Sequence, residues 1–139
     1  MIPTRWEVVC RPDDGELVGY LAPAPEACGL VVPTTLAGTP AGPAGPTAGS
    51  TALLVRSGLA QLAGRWWCRL PGTLPPGVLD ATAPAPEWEW RPVVLVEVSP
   101  TGCRVRPEMP APEELTAQAA LPVPVGDLLR LRPPHGQAG

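Results

Sequence analysis

At 139 residues the chain suffices for one domain and is too short for two of ordinary size. Its 22 prolines and 15 glycines cluster between apolar runs, the mark of a compact domain with long irregular loops, not of a wholly disordered chain. The formal net charge is −3 and all positive charge comes from scattered arginines, so the sequence has no basic stripe for neutralising phosphates, only the potential for a patch assembled in three dimensions.

Phenylalanine, lysine and asparagine are absent, and Ile2 is the only isoleucine, a bias that follows the codons of a GC-rich genome. The core must therefore be built from Leu, Val, Ala and Trp. Cys10, Cys28, Cys68 and Cys103 are widely spaced, without the short ligand pairs of a structural zinc site. The start MIPTRWEVVC has no basic stretch leading into an apolar run, so no signal peptide is expected. No apolar run reaches the roughly 20 residues of a membrane-spanning helix. These features predict a cytoplasmic, soluble chain without cofactor or metal, its thiols reduced and packed in strands.

In chain order, RWEVVCR alternates with period two, which puts Trp6, Val8 and Cys10 on one face. Pro12-Asp13-Asp14-Gly15 is a turn, and Leu17 to Leu21 returns as a second strand. A third strand is expected within Gly29 to Leu36, with Pro33 at an edge or ending it early. Residues 1–38 thus form a hairpin plus strand. Residues 39–49, TPAGPAGPTAG, read as a flexible linker that buries nothing. A helix near 50–63 follows, capped by Ser50 or Thr51, with Val55, Leu59, Leu62 and Trp66 on one face and Gly64 as its stop. RWWCRL is extended, with Trp66, Cys68 and Leu70 on one side and Trp67 on the other.

Residues 71–86 read as a loop. WEWRPVVLVEVSPTGCRVRP is the clearest β signal: period two puts Trp88, Trp90, Val94, Val96 and Val98 on one buried face, turns at Ser99 to Gly102, and returns with Cys103 and Val105 inward and Arg104 and Arg106 outward. EELTAQAA reads as one or two helical turns. LPVPVGDLLRLRP supplies short strands in which Leu129 and Leu131 alternate with Arg130 and Arg132. Residues 50–133 make a helix plus β-meander, and 134–139 a frayed tail. The predicted class is a single mainly β or α+β domain with small antiparallel sheets. From Arg65 to Pro133, the succession of aromatic-led strand, Val-rich strand, tight turn, basic strand and closing Leu strand resembles a small SH3-like or Tudor-like barrel.

No catalytic constellation assembles from the sequence. The only histidine, His135, falls in the tail. Ser50, Ser57 and Ser99 occupy cap, helix and turn positions. Asp13-Asp14 and Glu113-Glu114 read as solvated turn and cap residues. Glu97 is expected on the face of Val93 and Leu95, paired across the hairpin with Arg104 or Arg106. GxGxxG and P-loop motifs are absent. Among the tryptophans, Trp66, Trp88 and Trp90 are expected in the core. Trp67 shares parity with Arg65 and Arg69, and that row is the candidate interaction surface.

The functional expectation is a non-catalytic protein-interaction or accessory module, because a sheet apolar on both faces needs two covers and a single helix supplies one. A protein partner or a second copy of the chain would supply the other. The alternatives are a nucleic-acid-binding small barrel using Arg104, Arg106, Arg130 and Arg132 as a basic face, and an enzyme whose carboxylates converge only in the fold.

Overall fold

The computed structural model describes residues 1–25 and 28–133. The tail 134–139, with His135, lies outside the described residues. The predicted N-terminal hairpin is present: β1 (Glu7–Cys10) pairs antiparallel with β2 (Leu17–Pro23). Gly15 supplies the turn's left-handed residue at φ +71°. Across the turn, the Arg11 guanidinium donates to Asp14 at 2.8 Å and to Glu16. β3 (Val31–Thr34) completes a three-stranded sheet of order β1-β2-β3. Pro33 lies on this edge strand with its carbonyl accepting from Ala41 N–H on the outer side, at 2.7 Å. Its missing donor points the same way, so the ladder to β2 loses nothing.

The buried parity of β1 is the reverse of that expected. Val9 is 5% exposed, whereas Val8 is 65% exposed and Cys10 is exposed. Val9 lies opposite Gly19, where the helix packs: a Cβ on Gly19 would run into Thr34 O and Leu54. The helix therefore selects the face. Trp6 covers the other side, half-buried against Tyr20 with ring centroids 6.1 Å apart.

Helix α1 (Thr47–Ser57) begins three residues before position 50, with Pro46 at its N-cap, and stops at Gly58 instead of running to 63. Ser50 is therefore a buried helix residue and not a cap. Leu54, at 0% exposure, anchors the helix in a small core with Val9, Val18 and Leu21, while Val55 and Leu59 only flank it. A Cβ at Gly58 would lie 2.6 Å from Val18 O, so the close approach of helix and β2 requires glycine there. A 3-10 turn (Ala60–Leu62) follows, and Gly64 at φ +93° redirects the chain.

Segment 39–46 differs from a linker that buries nothing. Thr39 is buried, its hydroxyl 2.6 Å from that of Thr35, and Gly45 pairs with Val31. Its backbone groups are satisfied by lying along the open side of β3.

The rest of the chain forms a six-stranded sheet of order β5-β8-β7-β6-β4-β9: β4 (Trp66–Leu70), β5 (Gly77–Asp80), β6 (Glu89–Ser99), β7 (Gly102–Pro107), β8 (Ala117–Leu121) and β9 (Leu129–Arg130). All pairings are antiparallel except β5 with β8. Among the described residues this is a mainly β fold with one α-helix and two small sheets, as expected, but neither sheet closes into a barrel. β5 and β9 remain its edges, and β9, only two residues long, is too short to pair onward.

Two elements differ from the sequence expectation. GVLD within the supposed loop 71–86 is strand β5, and AQAAL, read as helical turns, is strand β8. Alanine favours helix locally, but here its small size lets Ala117 and Ala119 sit at 2% and 0% exposure in the main core. That core includes Trp66, Cys68, Leu70, Val93, Val105 and Leu129 on the sheet's inner face, closed over by Leu62, Leu74, Val123 and Val125. The seam between the sheets runs from Ala37, whose carbonyl accepts from Val125 N–H at 2.9 Å, to Gly38, packed on Pro124.

Candidate functional site

Register decides which side chains share the outer face of the six-stranded sheet. On β4, Trp66, Cys68 and Leu70 point inward as expected, and Trp67 and Arg69 point outward. Trp66 stands opposite Val93 of β6, Trp67 opposite Pro92, and Arg69 opposite Trp90. The inward residues of β6 are therefore Val93 and Leu95, and Trp90, Pro92 and Val94 face out. This reverses the expected face. A β-bulge at Val96, which is left unpaired between Leu95 and Glu97 and is 45% exposed, then shifts the parity, so Val98 returns inward. The same bulge places Glu97 outward, directly opposite Arg104, and not on the face of Val93 and Leu95.

Of the tryptophans, only Trp66 is core, at 3% exposure, with its indole N–H donating to Leu62 O at 3.1 Å. Trp88 is half-buried at the margin of the core, and Trp67 and Trp90 are half-buried on the outer face. Sequence parity missed Trp90 because Val-Val-Leu-Val offers apolar residues on both faces. Pro92, which lacks a donor, lies where the β6–β7 ladder ends, and this marks the ladder's limit but not the face. Its carbonyl accepts from Glu108 N–H at 3.0 Å, just past the end of β7.

The arginines expected beside Trp67 are held in place. Arg65 makes a bidentate pair with Glu108, at 2.6 and 2.9 Å. That pair holds the Glu108 carboxyl below the usual range, chiefly through the Arg65 hydrogen bonds. Arg69 donates to the carbonyls of Ala85, Pro86 and Trp88, at 3.0 to 3.3 Å, and so ties down the loop before β6. Arg130, opposite Trp67 across the β4–β9 ladder, lies 5.4 Å over the Trp90 ring centroid.

Trp90 is a ridge between two open depressions. One, about 450 Å³, is lined by Arg65, Trp67, Pro92 and the exposed Met109, and the other, about 300 Å³, by Arg69, Pro84, Leu128 and Arg130. The face thus combines two half-buried indoles, the exposed Met109 and pre-positioned guanidiniums, one of them lying over Trp90.

The four arginines of the expected basic face do not form one cluster. Arg104 and Arg106 project together from β7, but Arg130 stands three strand spacings away, roughly 14 Å at about 4.8 Å per strand. Arg132 is exposed beyond β9, near Leu131, which is 64% exposed and not buried like Leu129.

Acidic groups were also placed differently. Glu114 is buried at 1% exposure. It takes a bidentate pair from Arg91, at 2.7 and 2.9 Å, and the backbone N–H groups of Leu74 and Ala111, at 2.7 and 3.0 Å. These contacts, the Arg91 hydrogen bonds foremost, bring its carboxyl down to about 2 against the cost of burial. It caps its turn, as expected of that segment, but as the centre of a buried network that ties its own loop to the loop of Pro71 and Leu74 and to β6. Asp80 and Glu97 line a polar depression of about 560 Å³ with Arg104, Thr82, Ser99 and Thr101. Asp80 is held below the usual carboxylate range by hydrogen bonds from Thr82, which keeps it an anion at neutral pH and unsuited to proton donation.

Cys68 and Cys103 are buried, and desolvation pushes both thiols up to about 12. Cys10 and Cys28 are exposed, not packed. Among the described residues no group of three or more His, Cys, Asp or Glu is placed to hold a metal, and no helix is long and apolar enough to cross a membrane. Comparison with protein-family models, curated proteins and solved structures finds no match.

Proposed function

We propose that this chain is a non-catalytic protein-interaction or accessory module that docks a partner on the outer face of its six-stranded sheet. One observation carries the reading: Trp67, Trp90, Pro92 and Met109 form an apolar centre, partly accessible among the described residues, framed by Arg65 and Arg69, which are already held by their own hydrogen bonds. Trp and Arg dominate binding hot spots, and side chains ordered in advance lose little entropy on association. Nucleic-acid binding is the second reading, supported by Arg104 and Arg106 projecting side by side from β7. It is weakened because the Arg130 guanidinium lies over the Trp90 ring, where a base would stack.

The test is affinity purification from the native host after nuclease treatment. Wild type is compared with Trp67→Ala, Trp90→Ala and, as a control on the other sheet, Val8→Ala, each shown to be folded by circular dichroism. The reading expects a protein retained by wild type and Val8→Ala and lost by both tryptophan variants. Equal recovery by all four, or recovery of nothing, would overturn it.

A further inference from the structure

Resting on the interaction-module reading, we infer that the outer face receives an acidic segment of a partner protein. Its carboxylates meet Arg104, Arg106 and Arg130, and its apolar side chains fill the depressions beside Trp67 and Trp90.

Five of the chain's ten arginines project from this face, although the chain as a whole is net negative. Among the described residues only Arg65 of these five is neutralised at short range, by Glu108. Arg130 has Asp127 at 3.6 Å, through a carboxylate whose side chain is 95% exposed. Arg69 spends its donors on neutral carbonyls. Arg104 and Arg106 have no ion pair among the described residues. Among the described residues the five arginines are set against Glu97, opposite Arg104, Glu108 on Arg65, Asp127 near Arg130, and Glu89 at the rim of the larger depression beside Trp90, so the face keeps a small excess of positive charge around an apolar centre that water solvates poorly.

Each other occupant fits less well. A second copy stacked face to face would set arginine against arginine, and like charges brought together oppose association. A nucleic acid would meet the same guanidiniums and carboxylates as an acidic peptide, but the apolar centre of Pro92, Val94 and Met109 offers a sugar-phosphate backbone nothing. A protein segment bearing both acids and apolar side chains satisfies both features. The apolar groups set the register, and the carboxylates contribute specificity and on-rate.

The experiment pans a phage-displayed library of random 12-residue peptides against the immobilised full chain. Enriched peptides are then synthesised and their affinities measured by fluorescence anisotropy. The inference expects enriched peptides to combine Asp or Glu with aromatic or aliphatic residues. Changing their acids to amides should weaken binding about tenfold, and so should Trp90→Ala or Arg106→Glu in the protein. Val8→Ala should leave binding unchanged.

Neutral or basic peptides that still need Trp67 and Trp90 would overturn the acidic partner and leave the interaction module standing. Peptides indifferent to both tryptophans, or no enrichment, would overturn both. Two parallel arms use the same protein. A fluorescent oligothymidine that binds tightly and is released steeply by salt would make the face a nucleic-acid surface. A dimer in light scattering that Trp90→Ala dissolves would make it a self-association surface. Either result overturns the inference.

Discussion

Replacing Glu114 by glutamine keeps the side chain's size and removes its charge, leaving the Arg91 guanidinium, whose side chain is 14% exposed, facing a neutral amide. The folded carboxyl ionises at about 2 instead of the ordinary 4.5. At about 1.4 kcal/mol per pH unit, that difference corresponds to roughly 3 kcal/mol of stability at neutral pH. The figure agrees with the roughly 3 to 5 kcal/mol lost when one partner of a buried pair is removed. The sign follows from the depressed folded value. The stabilisation is complete above about pH 5, declines below it, and is lost as the pH falls through about 2. The assay is urea unfolding followed by tryptophan fluorescence, with the buried Trp66 as reporter, at steps from pH 7 to pH 3. Wild type should lose stability across the acid range, whereas Glu114→Gln should start roughly 3 kcal/mol lower and follow a flatter acid curve. A variant within about 0.5 kcal/mol of wild type at pH 7, with the same acid slope, would refute the reasoning.

The adjacent tryptophans should behave oppositely: Trp66→Ala should cost about 3 to 5 kcal/mol in urea unfolding, and Trp67→Ala clearly less, because only Trp66 is fully enclosed. Leu54→Ala should cost about 2 to 5 kcal/mol and loosen α1, read as faster amide exchange in Thr47–Ser57 than in β7. Gly38→Ala should destabilise by more than about 1 kcal/mol, because Gly38 has φ +89° and a Cβ would strike Pro124; an unchanged melting temperature would contradict this. Under native conditions a thiol reagent should label Cys10 and Cys28 quickly and reach Cys68 and Cys103 only after denaturation, as resolved by mass spectrometry.

Local chemistry made several elements legible from sequence. The Pro12–Gly15 turn is specified by residues that fit no other conformation as well. The β4 parity could be read because Trp66, Cys68 and Leu70 alternate with Arg65, Trp67 and Arg69 without ambiguity. The outward row on β4 followed from the same alternation. Trp90 did not, because β6 is apolar on both parities, and local sequence cannot choose between two equally apolar faces.

That choice belongs to the tertiary structure. Pairing with β4 sets Val93 inside and Trp90 outside, and the unpaired Val96 then reverses the alternation. In β1, Gly19 lets Leu54 approach and so buries Val9 in place of Val8. β5 and β8 exist only because each completes a ladder formed far away in sequence, and β propensity reflects packing against neighbours more than any residue's own preference. Glu114 becomes buried because Arg91, 23 positions earlier, arrives on the inner face of β6. The sequence by itself determined the mainly β class, the hairpin and the Arg65-Trp67-Arg69 row, all written in local period and turn chemistry. The face of β6, the open sheet and the joining of Trp67 with Trp90 were decided only when strands distant in sequence came into register.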